Sequence, residues 1–156
     1  MDGRHDFDFL FGRWSVSNRR LRRPLSGSHE WYEFEAAASE TPLLDGEANL
    51  EQWDAPDAPK PIHALALRLY NRETGRWSIY WSNAGSGEFS IPTVGSFKDG
   101  VGLFYDREEF ENRPILVRFR WSRQSDSACR WEQAFSIDDG KTWEDNWIMD
   151  FTRLEH

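Results

Sequence analysis

From Trp14 onward the chain is cut at short intervals by turn-forming residues, and the runs between the cuts are strand-length and rich in aromatic and β-branched side chains. Residues 14–21, WSVSNRRL, alternate and then break at Arg23-Pro24 and Ser26-Gly27. A second run, 29–40, carries Trp31, Tyr32 and Phe34 before Thr41-Pro42, and a third, 43–53, is interrupted by Asp45-Gly46. The stretch 54–61, DAPDAPKP, is a loop that no sheet interior accepts. Runs 62–71 and 76–83 flank Arg72-Glu73-Thr74-Gly75, a hairpin link. Further strands are expected over 93–97, 101–107, 115–122, 130–137 and 142–153, with turns at Lys98-Asp99-Gly100 and Asp138-Asp139-Gly140-Lys141. Only residues 6–11 hint at a helical turn, which would close one end.

About ten short strands joined by tight turns predict an all-β fold. Consecutive hairpins favour one antiparallel up-and-down barrel over a sandwich, because closure leaves no open edge. A length of 156 residues suits a single domain, taken here as 1–153; Leu154-Glu155-His156 reads as the remnant of a vector-encoded tag. Nine Trp, eleven Phe and four Tyr supply rings enough to fill or wall a wide interior. The excess of 27 acidic over 19 basic residues disfavours a nucleic-acid partner, and no apolar run is long enough for a helix to cross a membrane. One cysteine, Cys129, and no apolar leader-like stretch near Met1 point to a cytoplasmic protein.

Gly12-Arg13-Trp14 opens the first long strand and Arg153 closes the last. This is similar to the calycin arrangement of lipocalins and fatty-acid-binding proteins, which implies that Trp14 lies under Arg153 at the closed end of the barrel. The strings FDFLFGRWSVSNRRL, RWSIYWSN, GSFKDGVGLFYD and WEQAFSIDDGKTWEDNWIMDFTR together resemble an uncharacterised bacterial lipocalin-like family, a domain of unknown function. That resemblance implies a fold and brings no activity with it.

The segment Ser136-Ile137-Asp138-Asp139-Gly140-Lys141-Thr142-Trp143 resembles the Asp-box of sialidases and other propeller glycosidases. Its chemistry is that of a turn, with an Asx-type bond from Asp138, a permissive backbone at Gly140, and Thr142 and Trp143 folding back. The four histidines fall on separate segments without metal-ligand spacing, so no metal is expected. Haem would have to use His63 or His29, and no cofactor is expected. Cys129 has no neighbouring His and no nucleophile elbow exists, so it reads as a small packed thiol.

If Trp14 points inward, so do Val16, Asn18 and Arg20. An inward Arg20 must pair, with Glu30 or Glu132, or sit at the open mouth facing an anionic ligand. Trp77, Ile79 and Trp81 share one face of their strand, and Tyr80 lies on the other. Over 115–121 the apolar face carries Phe119, and Arg118 and Arg120 are expected outside.

The favoured reading is a small-molecule-binding barrel for a hydrophobic or aromatic, or anionic, ligand, with Asn18, Arg20, Tyr32, Phe34, Trp77, Tyr80, Trp81, Phe119 and Glu132 as its site. Gly12, Trp14, Arg153, Asp138, Gly140 and Trp143 take structural roles. A second reading is a cofactor-free lyase or isomerase/cyclase built on Arg20, Tyr32, Tyr80 and Glu132. A third is a structural or oligomer-forming barrel, a homodimer included, whose rings simply fill the interior.

Overall fold

The structure, a computed structural model, describes residues 2–155, the last by its backbone alone. Ten strands run β1 (Gly12–Leu21), β2 (Trp31–Leu43), β3 (Ala48–Ala55), β4 (Ile62–Asn71), β5 (Arg76–Asn83), β6 (Thr93–Lys98), β7 (Val101–Phe110), β8 (Arg113–Ser125), β9 (Ala128–Ser136) and β10 (Glu144–Glu155). Each pairs antiparallel with its neighbours in sequence, and β10 returns to β1, so the sheet closes into an up-and-down barrel without an edge. The architecture is the one the turn spacing predicts. Several strands outrun their expected limits, because paired strands continue until a turn residue stops them. The Asp45-Gly46 interruption is a separate short 3-10 turn, Leu44–Gly46, ahead of β3. Leu154 and Glu155 extend β10, past the domain limit drawn at 153; His156 of the expected tag remnant lies outside the described residues.

Alternation sets the two faces of the wall. On β1, Trp14, Val16 and Asn18 are buried inside, and Ser15, Ser17 and Arg19 are exposed. The β1–β10 register sets Trp14 beside Arg153, Val16 beside Phe151, Asn18 beside Met149 and Arg20 beside Trp147, all on the inner face. Arg118 and Arg120 face outward, where Arg118 lies over the Trp143 ring and Arg120 pairs with Glu132. Strand β4 breaks the polar-outside expectation, since its outward residues include Leu65, Leu67 and Leu69.

One end of the barrel is plugged by the segment before β1. Phe7 and Leu10, flanking and ending the 3-10 turn Asp8–Leu10, are buried, and the Phe7 ring meets Trp77 and Phe97 edge-on at 5.0 and 4.9 Å. Arg153 ties the plug to the wall. Its guanidinium lies 4.2 Å over Trp14 and donates to the carbonyls of Phe9 (2.6 Å), Phe11 (2.5 Å) and Asp126 (2.9 Å). Trp14 Nε1 in turn donates to the Leu10 carbonyl at 2.8 Å, and Gly12 enters β1 at φ 116°, a backbone that only glycine adopts without strain.

Ser136 to Trp143 forms the link from β9 to β10. Asp138 accepts from the Thr142 amide (2.9 Å), the Thr142 hydroxyl (2.5 Å) and Ser136 Oγ (2.8 Å), while Ser136 Oγ accepts from the Gly140 amide at 2.8 Å. Trp143 Nε1 closes back on the Gly140 carbonyl at 3.2 Å, and Gly140 takes φ 89°. These bonds, led by that from Thr142 Oγ1, pull the Asp138 carboxyl down to about 2.

Candidate functional site

Above the aromatic plug the interior is not filled. The inward positions of β4 next to Arg68 are Ala64 and Ala66, and those of β2 include Ala36 and Ala38. Side chains this short do not reach the rings of the opposite wall. What remains is a cavity of about 170 Å³, walled by Ile79 and Trp81 of β5, Phe119 and Trp121 of β8, Trp131 of β9, and Trp147, Met149 and Phe151 of β10. The rings brace one another, with Phe119 4.9 Å from Trp131 and Trp131 5.5 Å and edge-on to Trp147. Asn18 fixes Trp147 by accepting from its Nε1 at 2.9 Å.

The lower side of the cavity carries a buried ion cluster. Arg68, 2% exposed, donates from Nη1 to Glu40 (2.7 Å) and Asn49 (2.9 Å), and its Nη2 lies 3.4 Å from Glu51. Its guanidinium also sits over the rings of Phe7 (5.1 Å) and Trp121 (5.4 Å). Burial drives the Glu40 pKa well above the ordinary carboxylate value; Arg68 opposes that rise and Glu51 adds to it. Arg68 stays charged because the two carboxyls outweigh its own desolvation. The sequence signal for this cluster is the alternation in IHALALRLYN, which puts Arg68 on the face of Ala64, Ala66 and Tyr70.

On β7 a second acidic feature faces the interior. Asp106 follows Gly102 and Phe104 on the inner face, and Glu108, two residues on, lines the cavity. The two acids stand two residues apart on the same face of β7, and both Asp106 oxygens are buried without a hydrogen-bond partner. Burial first, then the nearness and charge of Glu108, raise Asp106 to about 8. At the opening, Ser90 of the β5–β6 loop accepts from the Trp81 amide at 3.1 Å and its own amide donates to the Trp81 carbonyl at 2.8 Å. Trp81 is thereby fixed at the rim.

The residues expected from sequence divide between three places. Trp81 and Phe119 line the cavity; Asn18 supports it through Trp147; Tyr32 and Phe34 stack at 5.6 Å on the inner face of β2 toward the open end. Arg20 stands on the open-end half of β1 with its guanidinium 3.9 Å over Trp147, rather than paired to Glu30 or Glu132. Glu30 lies 3.8 Å from Arg22, and Glu132 is held by Arg120 at 3.0 Å on the outer wall. Trp77 belongs to the plug, its Nε1 donating to the Gly3 carbonyl at 3.1 Å. Tyr80 lies outside, against Phe89 at 5.7 Å. Alternation decides both outward placements, since Tyr80 and Glu132 each sit one residue from an inward Trp. The Tyr–Arg–Glu constellation of the lyase reading is therefore not assembled.

His63 is exposed and bonded to Asp54, and His29 is exposed ahead of β2, so neither reaches the interior. Among the described residues no group of three or more His, Cys, Asp or Glu is placed to hold a metal, and no helix is long and apolar enough to cross a membrane. Cys129 is buried, and desolvation pushes its thiol up to about 12.

No family model matches the chain, and no curated protein matches it in sequence. Among solved structures it is similar to an S-type phycobiliprotein lyase, CPES, from Guillardia theta, with a TM-score of 0.65 at 13% identity over 100% of this chain and 94% of that one. The likeness is one of fold, a calycin-like barrel.

Proposed function

We propose that this barrel binds a small, flat, largely apolar molecule in its interior. The observation that carries the reading is the cavity of about 170 Å³ between the ion cluster and the open end, walled by Trp81, Phe119, Trp121, Trp131 and Trp147 and carrying few polar groups. A barrel whose rings served only to fill it would have no such space, so the purely structural reading is disfavoured. The similar fold of a phycobiliprotein lyase supports a ligand-binding calycin barrel in general terms. Catalysis by Arg20, Tyr32, Tyr80 and Glu132 finds no support, because Tyr80 and Glu132 lie outside the wall.

The test is titration of the purified protein with a panel of aromatic and apolar small molecules, read by intrinsic Trp fluorescence. Saturable quenching by planar members of the panel is expected. A flat response across the whole panel would remove the reading.

A further inference from the structure

The polar part of the cavity lining is uneven in charge. Its ionisable members are Arg68, Glu51 and Glu108. The two Nη groups of Arg68 are engaged by Glu40, Asn49 and Glu51. Glu108 has no cation partner among the described residues, and both oxygens of the neighbouring Asp106 are buried without a donor. Glu51, 3% exposed, keeps its second carboxyl oxygen unpartnered on the same cavity. Arg68 Nε and Trp121 Nε1 are unpartnered donors on the same lining, so the surplus is one of negative charge, set among indole and phenyl rings whose faces attract cations. Trp147 already takes one cation in this way, the Arg20 guanidinium at 3.9 Å, and Arg20 is not part of the lining.

Resting on the reading of the cavity as a ligand site, we propose that its ligand is a planar aromatic molecule bearing a positively charged nitrogen, seated against the carboxyls of Asp106 and Glu108. Few other charges bear on the pair. From β8 it faces Ile115 and Val117; from β6 the inner-face residue beside it is Thr93, buried with its hydroxyl unpartnered. Among the described residues the other inner-face charges are Arg68, Glu40 and Glu51 on the lower side, Arg153 at the plug and Arg20 toward the mouth. Burial pushes the Asp106 carboxyl up to about 8, so rising pH adds a negative charge at the site and strengthens it for a cation.

The experiment compares two probes of matched shape by Trp quenching: naphthylmethyl-trimethylammonium, a permanent cation, and naphthylacetate, an anion. The cation is expected to bind at least about tenfold more tightly, with its affinity rising up to about tenfold per pH unit between about pH 6 and pH 8. Asp106→Asn, which imitates the protonated acid and leaves a single acid at the site, should hold the cation's affinity near its low-pH level throughout that range. Glu108→Gln should abolish the preference for the cation. Equal or tighter binding of the anion, or a cation affinity constant with pH in the unsubstituted protein, overturns this inference while leaving the ligand-binding reading intact. Binding of neither probe, nor of any planar panel member, overturns both.

Discussion

Replacing Arg68 by Met tests how the interior is held together. The substitution keeps the volume near that of the original and removes the one cation between Glu40 and Glu51, whose side chains are 0% and 4% exposed. Breaking a buried pair from one side leaves uncompensated charge in a desolvated place, at a cost of about 3–5 kcal/mol. For a chain of this length each kcal/mol lowers Tm by about 2–4 °C, so a drop of roughly 6–20 °C is expected near neutral pH.

The pH dependence of that loss is more telling than its size. Burial raises the folded-state pKa of Glu40 above the ordinary 4.5. A carboxyl raised in this way supports the fold fully below about pH 4.5, and its contribution is lost as pH climbs through the folded-state value. Arg68 limits that rise; without it the loss deepens. Urea unfolding followed by Trp fluorescence should therefore show a larger Arg68→Met deficit at about pH 8 than at about pH 5. Glu40→Gln, which imitates the protonated acid and keeps an acceptor for Arg68, should cost far less and flatten the pH dependence. A deficit under about 1 kcal/mol at pH 8, or one that does not change with pH, would refute this account of the cluster.

Three further outcomes follow from the geometry. Gly95→Ala should destabilise by well over the ~1 kcal/mol typical of a glycine substitution, because a Cβ there would lie 1.8 Å from the Leu103 carbonyl oxygen; thermal melts would show it, and a variant as stable as the parent would contradict the β6–β7 approach. Asp138→Ala should lower Tm at neutral pH and lose its effect as pH falls from 3.8 toward 2, since a depressed carboxyl contributes above its unfolded value and fades below it; acid titration of both proteins by circular dichroism checks this. Cys129 should resist thiol-specific reagents in the folded protein and react in denaturant, and rapid modification without unfolding would contradict its burial.

The barrel was legible because its determinants are local. Turn residues bound each run, and alternation from Trp14 onward assigns the faces of β1 and β10 through to Arg153. The site was less so, for two reasons. Arg68, Glu40 and Glu51 stand far apart in sequence, each on an inner face, and only pairing of β2, β3 and β4 brings them together. A charge in an alternating run defaults to the outside, which is right for Arg118 and Arg120 and wrong for Arg68, Asp106 and Glu108. Alternation carried from Phe104 does place Asp106 and Glu108 inside. Tyr80 and Glu132 were attractive for their chemistry, and the same alternation puts them outside.

The central claim, an aromatic-walled ligand cavity inside the barrel, is tested most directly by the indole N–H resonances of the nine tryptophans in a heteronuclear NMR titration with a planar aromatic binder. Trp81, Trp121, Trp131 and Trp147 line the cavity, whereas Trp143 lies on the outer wall and Trp14 and Trp77 in the plug. The account predicts that the four lining signals shift together and saturate at one ligand per barrel, with those of Trp14, Trp77 and Trp143 nearly still. Shifts confined to Trp143 and other outward residues, or no saturable shift among the four, would contradict it.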